Sequence, residues 1–251
     1  MRMTATLAGW GALALMALAG CELPGKPKAG SEVPRPEEVL AFETLYGANC
    51  AGCHGANGQN GGAMNLANPE YQALIDDVSM REVIEKGEKG TLMPAFAQEN
   101  GGQLTDQQID ALVAGIRASW RKESAFGGEI PPAYKATHAG DVAKGKTVYA
   151  IACARCHGVS AREPGKAGSI LDGSFLALIN EQMVRTTVIA GRPDIGEPDW
   201  RGHIPGRAMT DDEVTDVCAW LMAQRSLNPG QPYPSANPAT TGEKPASVTN
   251  H

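Results

Sequence analysis

Apolar residues recur at helical spacing in two stretches of the chain, and the two stretches align with each other. In the first, Pro36 opens a segment with one apolar face, formed by Val39, Phe42, Leu45 and Tyr46. In the second, Asp141 is a predicted N-cap, and the matching face carries Val142, Gly145, Val148 and Tyr149. Spacings of three and four residues predict an amphipathic helix in each stretch. The self-similarity predicts one repeated helical unit in each half of the chain.

A second pair of helices closes the two halves, and both begin with the same signature. Thr105 with Gln108, and Thr210 with Glu213, each fit a capping box at a helix N-terminus. The buried stripes that follow also align, comprising Ile109, Leu112, Val113 and Ile116 in the first half and Val214, Val217, Cys218 and Leu221 in the second. Cys218 takes the place of Val113, so we expect it to be a buried, unreactive core thiol. The pattern predicts an all-α fold.

Proline-rich and glycine-rich stretches mark the predicted domain boundaries. Residues 1–20 hold an uncharged apolar run of the length found in signal peptides and short for a membrane-spanning helix. The segments that follow are a Pro-rich extended tether at 21–36, a first domain at 37–126, a linker at 127–138, a second domain at 139–228 and a disordered tail at 229–251.

Composition and charge narrow the class of protein. Aromatic residues make up only 5% of the 251 residues, so two small cores would be thin unless each enclosed another large apolar body. The formal charge is −6, and without residues 1–20 it is −7, because 21 basic residues then face 28 acidic ones. This balance argues against nucleic acid as a partner and favours proteins with a basic docking face.

One pentapeptide pattern occurs once in each half, directly after the first predicted helix. The two copies are Cys50-Ala51-Gly52-Cys53-His54 and Cys153-Ala154-Arg155-Cys156-His157. Cys-x-x-Cys-His is the attachment signature of c-type haem, in which two thiols bind the porphyrin edge and the histidine faces the iron. A redox dithiol does not require the histidine, and a zinc site would have to join pairs that belong to separate helical units.

The sequence resembles a di-haem cytochrome c with two class I domains in tandem. The resemblance implies a few helices wrapped around one covalent haem in each domain. Cys50 and Cys53 would hold the first haem c, and Cys153 and Cys156 the second. His54 and His157 would bind the two irons, each with its other ring nitrogen hydrogen-bonded, most simply to a backbone carbonyl.

Domains of this class usually complete the iron with a methionine from the loop before the last helix, and the first half carries such a loop. The residues Gly87 to Phe96 include Met93-Pro94-Ala95-Phe96, which closely resembles the family's ligand loop. We therefore expect Met93 to be the sixth ligand of the first iron. A methionine and histidine pair raises the reduction potential of the haem.

The second half departs from this pattern at the ligand position. Glu197 lies six residues after the loop glycine Gly191, as Met93 lies six residues after Gly87. We expect Met209 to serve as the sixth ligand, although its position before Thr210 also fits a hydrophobic staple equivalent to Leu104. Two alternatives stay open at this point. His203 could give bis-histidine ligation, and Glu197 or water could leave the iron open.

The residues Leu18-Ala19-Gly20-Cys21 resemble a bacterial lipobox. This resemblance implies acylation of Cys21 and a lipid anchor in a bacterial membrane, with the protein facing the periplasm. Haem attachment outside the cytoplasm agrees with an exported chain.

These features predict an electron carrier rather than an enzyme. We expect a membrane-tethered di-haem cytochrome that passes single electrons between respiratory partners, either freely or within a larger complex such as one with a terminal oxidase. The alternative is a peroxidase-like enzyme with an open second haem, in which Glu197 would act as acid or base. A haem-based sensor would need an output domain, which the sequence does not offer.

Overall fold

The computed structural model describes residues 33–122, 125–160 and 162–226. The predicted signal peptide, Cys21, the tether up to residue 32 and the predicted tail lie outside these residues. Within them, no helix combines the length and the apolar character needed to cross a bilayer. Pro36–Glu38 forms a short 3₁₀ turn in a unit that ends at Glu38, and the chain from Val39 onward forms a second compact unit.

The first helical domain places its helices around one core. Its helices are α1 (Phe42–Asn49), α2 (Ala51–His54), α3 (Pro69–Leu74), α4 (Asp77–Lys86) and α5 (Asp106–Trp120), with a 3₁₀ turn at Gln98–Asn100. Ile109 and Leu112 of α5 are fully buried in this core, together with Leu45 and Tyr46 of α1. The helix expected to open at Pro36 begins only at Phe42, because the backbone before it is extended and the carbonyl of Val39 accepts a hydrogen bond from Gln108 (3.1 Å).

The second domain repeats this order with one addition. Its elements are α6 (Val142–Ala152), α7 (Ala154–His157), the short antiparallel strands β1 (Gly158–Ser160) and β2 (Glu163–Pro164), α8 (Gly173–Ala177), α9 (Glu181–Ala190), a 3₁₀ turn at Pro193–Ile195, and α10 (Asp211–Ala223). Val214, Val217 and Cys218 of α10 are buried in its core, so the prediction of a buried Cys218 is confirmed. Over the residues that the structure describes, the fold is helical, as predicted, with one small two-stranded sheet.

Side-chain caps fix where the helices start. Thr105 and Thr210 form complete capping boxes with Gln108 and Glu213, which confirms both predicted starts. The oxygen of the Asp141 side chain accepts from the backbone at the start of α6, as predicted. The closing helix of each domain therefore begins at its capping threonine, 12 residues after Met93 in the first domain and 13 residues after Glu197 in the second.

The opening and closing helices of each domain cross at a point where one of the two helices has a glycine. A Cβ on Gly115 of α5 would lie 2.2 Å from the ring of Phe42 on α1. In the second domain a Cβ on Gly145 of α6 would lie 2.0 Å from the backbone carbonyl oxygen of Asp216 and 2.7 Å from Cβ of Trp220, both on α10. Both crossings therefore pair a glycine with an aromatic residue, but the glycine lies on the closing helix in the first domain and on the opening helix in the second.

The segment predicted as a linker is held by a buried arginine. Arg185 of α9 is 1% exposed, and its Nε donates to the carbonyl of Ala133 at 2.9 Å. The same guanidinium pairs with Asp211, whose carboxylate also accepts from the backbone N–H of Ala133. Gln182 donates to the carbonyl of Tyr134 (2.8 Å). These bonds fix residues 133–134 against the second domain.

Candidate functional site: two haem-attachment centres

The two attachment motifs adopt the same backbone shape. In each, a helix ends at the first cysteine, and a single helical turn then carries the second cysteine and the histidine. Cys50 has φ −116° and ψ −38°, and Cys153 has φ −113° and ψ −38°. Among the four motif cysteines, Cys53 is exposed, Cys50 and Cys156 are partly buried, and Cys153 is buried.

The two motif histidines are oriented in the same way. Nδ1 of His54 lies 2.8 Å from the carbonyl oxygen of Met64, and Nδ1 of His157 lies 3.1 Å from that of Gly168. A carbonyl can only accept, so Nδ1 must carry the proton, which confirms the expected backbone hydrogen bond at both histidines. Burial also lowers the pKa of His54 and favours the neutral ring. Nε2 then keeps a lone pair on each ring, and the donor set of two thiols and one fixed imidazole fits a c-type haem at each centre.

A glycine and a tyrosine shape the turn that follows each histidine. Gly55 and Gly158 have φ of 81° and 85°, a region that favours glycine. The hydroxyl of Tyr46 donates to the carbonyl of Gly55, and that of Tyr149 to Gly158, both at 2.8 Å. The tyrosine roles were missed from the sequence, although each tyrosine precedes the first motif cysteine by four residues.

The loop that carries Met93 is closed by backbone hydrogen bonds after α4. The N–H of Glu88 donates to the carbonyl of Met93 (3.1 Å), and that of Thr91 donates to the carbonyl of Glu88 (3.1 Å). The hydroxyl of Thr91 accepts from the N–H of Met93 at 3.1 Å. Gly87 lies so close beneath the loop that a Cβ there would meet the Met93 carbonyl at 2.6 Å. Met93 is half-buried within this fixed turn.

The loop after α9 has the same construction, with Glu197 in the place of Met93. The N–H of Arg192 donates to the carbonyl of Glu197 (3.0 Å), and that of Ile195 donates to Arg192 (3.0 Å). A Cβ on Gly191 would meet the backbone of Pro198 and Asp199 at 2.7 Å. Burial raises the pKa of Glu197 to about 7, with Arg192 acting weakly against the shift.

Met209 and His203 have other partners in the second domain. Met209 is 3% exposed, and its N–H donates to the carbonyl of Trp200 (2.9 Å), as Leu104 donates to Phe96 (2.8 Å) in the first domain. His203 is buried, and its Nε2 lies 3.1 Å from the carbonyl of Val188, to which it must donate.

The ligand loop of the second domain also contacts the loop beneath the first motif. Arg192 forms a two-pronged ion pair with Asp194 (2.9 and 2.8 Å) and donates to the carbonyl of Gly61 (3.0 Å). Asp194 accepts from the N–H of Asn60 at 3.1 Å. The side chains of both members of the pair are at least nine-tenths buried. No local pattern in the sequence pointed to this contact, because its partners lie far apart along the chain.

A second contact between the domains lies beside the first. Asn68 is 1% exposed, and its Nδ2 donates to the carbonyls of Ala190 and Gly191 (2.8 and 3.1 Å) at the end of α9. Asn180 in turn donates to Glu88 and to the carbonyl of Lys89 in the first ligand loop (2.8 and 3.0 Å). Each ligand loop therefore touches the other domain.

Comparison with known proteins agrees with this arrangement. Residues 37–114 match the family described as cytochrome c oxidase, cbb3-type, subunit III, and residues 142–225 match the cytochrome c family. The chain is 32% identical over 157 residues to a cbb3-type cytochrome c oxidase subunit CcoP of Azospirillum sp. (strain B510), covering 56% of this chain and 48% of that protein.

Two further relatives are similar over part of their length. The subunit of the same name from Azospirillum brasilense is 30% identical over 191 residues, which cover 67% of this chain and 59% of that protein. A dihydro-heme d1 dehydrogenase of Pseudomonas aeruginosa is 35% identical over 96 residues, 36% of this chain and 18% of that protein. The chain thus spans less than two thirds of each relative.

The family matches cover both halves, and each matched segment contains one attachment motif with its oriented imidazole. Two covalently bound c-type haems follow from two such domains. The chain is a di-haem cytochrome c with two cytochrome c domains in tandem.

Proposed function

We propose that this protein is a membrane-tethered cytochrome that transfers single electrons between partners of a respiratory chain. The observation that carries the proposal is the pair of motif imidazoles, both held by Nδ1 and both within one compact unit. Similarity to subunits of cbb3-type oxidases supports a place in a complex with a terminal oxidase, with a free carrier as the other form of the same function.

In this function, residues of the protein attach each haem, orient it and enclose it. When bound, each haem c supplies a centre that gains and loses one electron. Cys50, Cys53, Cys153 and Cys156 would attach the two haems, and His54 and His157 would each bind one iron. Met93, presented by the closed loop after α4, would be the further ligand of the first iron. The sequence predicts the same role for Met209 in the second domain.

The proposed partners are redox proteins and a membrane, not nucleic acid. An excess of acidic residues suits docking to a basic protein surface. Acylation of Cys21 would hold the protein on a membrane of the cell envelope, facing the periplasm. The subunits named above are cytochrome c oxidase subunits, which supports a membrane location without identifying the anchor.

A peroxidase-like enzyme is the second candidate function, and one observation favours it. Glu197, a half-buried carboxyl group, stands where the first domain presents Met93. The dehydrogenase relative does not extend this argument, because the match covers only 18% of that protein. We propose that the chain itself is not an enzyme and that catalysis belongs to a partner.

Haem counting followed by redox titration tests the proposed function. Protein matured in a host with haem-attachment machinery should carry two haems by mass, and the Cys53→Ala, Cys156→Ala double variant should release its haem to acid acetone. The holoprotein should take up two electrons in two resolvable steps and give both to an oxidase-containing membrane fraction. Turnover of hydrogen peroxide with a reduced donor, at a rate exceeding electron delivery to those membranes, would favour the peroxidase-like function instead.

A further inference from the structure

The two ligand loops have the same pattern of backbone hydrogen bonds, so their residues can be matched one by one. The bond from Glu88 N–H to the Met93 carbonyl corresponds to the bond from Arg192 N–H to the Glu197 carbonyl. The bond from Thr91 to Glu88 corresponds to that from Ile195 to Arg192. A Cβ on Gly87 or on Gly191, the glycines that precede the two loops, would meet the backbone seven and eight residues further on. Met93 and Glu197 therefore occupy equivalent positions, because neither loop has an inserted residue between its glycine and this position.

The side chains at these positions also share their exposure. From Leu92 to Ala95 the residues alternate between exposed and half-buried, and the four residues from Gly196 to Asp199 alternate in the same order. Glu197 is thus directed inward as Met93 is.

Met209 and His203 each have a structural role that needs no bond to iron. Met209 makes the backbone bond that Leu104 makes, directly precedes the same N-cap threonine and packs in the hydrophobic core. Leucine cannot bind iron, so the requirement at this position is apolar volume. His203 donates Nε2 to Val188, and a ring bound in this way offers the iron only Nδ1.

We propose that Glu197, and neither Met209 nor His203, occupies the sixth-ligand position of the second haem. This inference rests on the proposed ligand role of Met93. A carboxylate oxygen is a hard, anionic donor that stabilises ferric over ferrous iron, whereas a thioether does the reverse. The second haem therefore has the lower potential of the two, and in the ferrous state its weakly held sixth position is open to small neutral ligands such as carbon monoxide.

The test compares wild-type holoprotein with five single variants: Met93→Ala, Met209→Leu, His203→Ala, Glu197→Met and Glu197→Gln. Two double variants combine Met93→Ala with Met209→Leu and with Glu197→Met. The mass of each sample is first measured to confirm two covalent haems. A sample with fewer haems would count against the proposed function rather than against this inference. Ferric spectra are then recorded for the thioether-to-iron band and for high-spin iron by electron paramagnetic resonance. The dithionite-reduced samples are titrated with carbon monoxide.

The inference predicts that Met93→Ala abolishes the thioether band completely and that Met209→Leu leaves the wild-type spectrum. Glu197→Met should add a second thioether band, which survives when Met93→Ala is combined with it, and should remove carbon monoxide binding at the second haem. Glu197→Gln should alter the ferric signal of the second haem alone, which provides a readout if Glu197→Met does not fold.

Three results would overturn the inference. A residual thioether band in Met93→Ala that disappears with Met209→Leu would assign the ligand to Met209. A low-spin bis-imidazole signal that His203→Ala removes would assign it to His203. An unchanged second-haem signal in Glu197→Gln would place the carboxyl away from the iron.

Discussion

Tyr46 and Tyr149 each hold the turn that follows an attachment motif. Their hydroxyls donate at 2.8 Å to the carbonyls of Gly55 and Gly158, which adjoin the motif histidines. Burial raises the pKa of both phenols to about 12, so they remain protonated donors throughout the neutral range. The carbonyl of each glycine would lose this partner if the hydroxyl were removed.

We expect Tyr46→Phe and Tyr149→Phe each to lower the free energy of unfolding of the holoprotein by about 1–2 kcal/mol. The loss should be larger for Tyr149, because its hydrogen bond is buried whereas that of Tyr46 is partly exposed. Urea unfolding followed by haem absorbance measures both. Val78→Ala on exposed α4 surface is the control and should change stability by no more than about 0.5 kcal/mol. Equal stability of wild type and both phenylalanine variants would show that the hydroxyls contribute nothing.

Much of the haem chemistry at this scale could be predicted from the sequence, since the motif states which thiols and which histidine act. The carbonyl partners of His54 and His157 could be predicted only as a type, because their identities depend on how the following loops fold back. Glu197 was recognised from loop spacing alone. Its inward direction required the backbone hydrogen bonds of both loops.

At the scale of elements, the crossing of the first and last helices shows how the repeat has diverged. The ring of Phe42 fills the space beside Gly115, whereas the backbone of Asp216 and Cβ of Trp220 fill the space beside Gly145. In the first domain Trp120 adds a second ring, 5.9 Å from Phe42 and 5.1 Å from Tyr46. Each crossing thus pairs one glycine with one aromatic residue, and the two residue types have exchanged helices between the domains.

This exchange predicts a strong coupling between two substitutions. Phe42→Gly should destabilise the protein by about 3 kcal/mol through the cavity it leaves. Gly115→Trp should cost about 1–3 kcal/mol or more, because the indole would overlap Phe42. The double variant reproduces the second domain's arrangement and should be more stable than the sum of the single losses implies, by about 1–3 kcal/mol. Thermal unfolding of the four proteins gives the cycle, and additive losses would mean that the two residues do not share one space.

Helix starts and the repeated order of helices could be predicted from the sequence, because caps and apolar spacing are local signals. Both capping boxes are present as expected. The middle helices α3, α4, α8 and α9 were missed in the sequence, although side-chain N-caps mark where they begin, at Asn68, Asp76, Asp172 and Asn180. The predicted linker gave no sign of docking, because Arg185 contacts it from 52 residues away in the chain.

At the scale of the whole molecule, the proposed anchor connects the chain to its membrane. We expect Cys21→Ser to move the protein from the membrane fraction to the soluble fraction with its haem spectrum intact, because the lipid would be the principal attachment. Fractionation followed by haem staining measures the change, and Ser31→Ala in the same segment is the control. Retention of the serine variant on membranes after a salt wash would point to a partner subunit or an uncleaved apolar segment.

The Arg192–Asp194 pair joins the ligand loop of the second domain to the loop beneath the first motif, and we expect it to stabilise the unit that contains both. Replacing Asp194 with Asn leaves a buried guanidinium without its counter-charge, which should cost about 3–5 kcal/mol. Arg207→Ala breaks a half-exposed pair with Glu213 and, as the control, should cost no more than about 1 kcal/mol.

The same pair makes the stability of the folded protein depend on pH. Hydrogen bonding to Arg192 holds the pKa of Asp194 well below its usual range, so the folded state binds the proton more weakly than the unfolded state. The stabilisation is then fully present above the unfolded pKa of about 4 and is lost as the pH falls towards the folded value. The stability difference between wild type and Asp194→Asn, measured by urea unfolding of the holoproteins, should be about 3–5 kcal/mol at pH 5 and should shrink below about pH 4. A difference that grows as the pH falls, or one that matches Arg207→Ala at pH 7, would show that this contact does not join the two domains energetically.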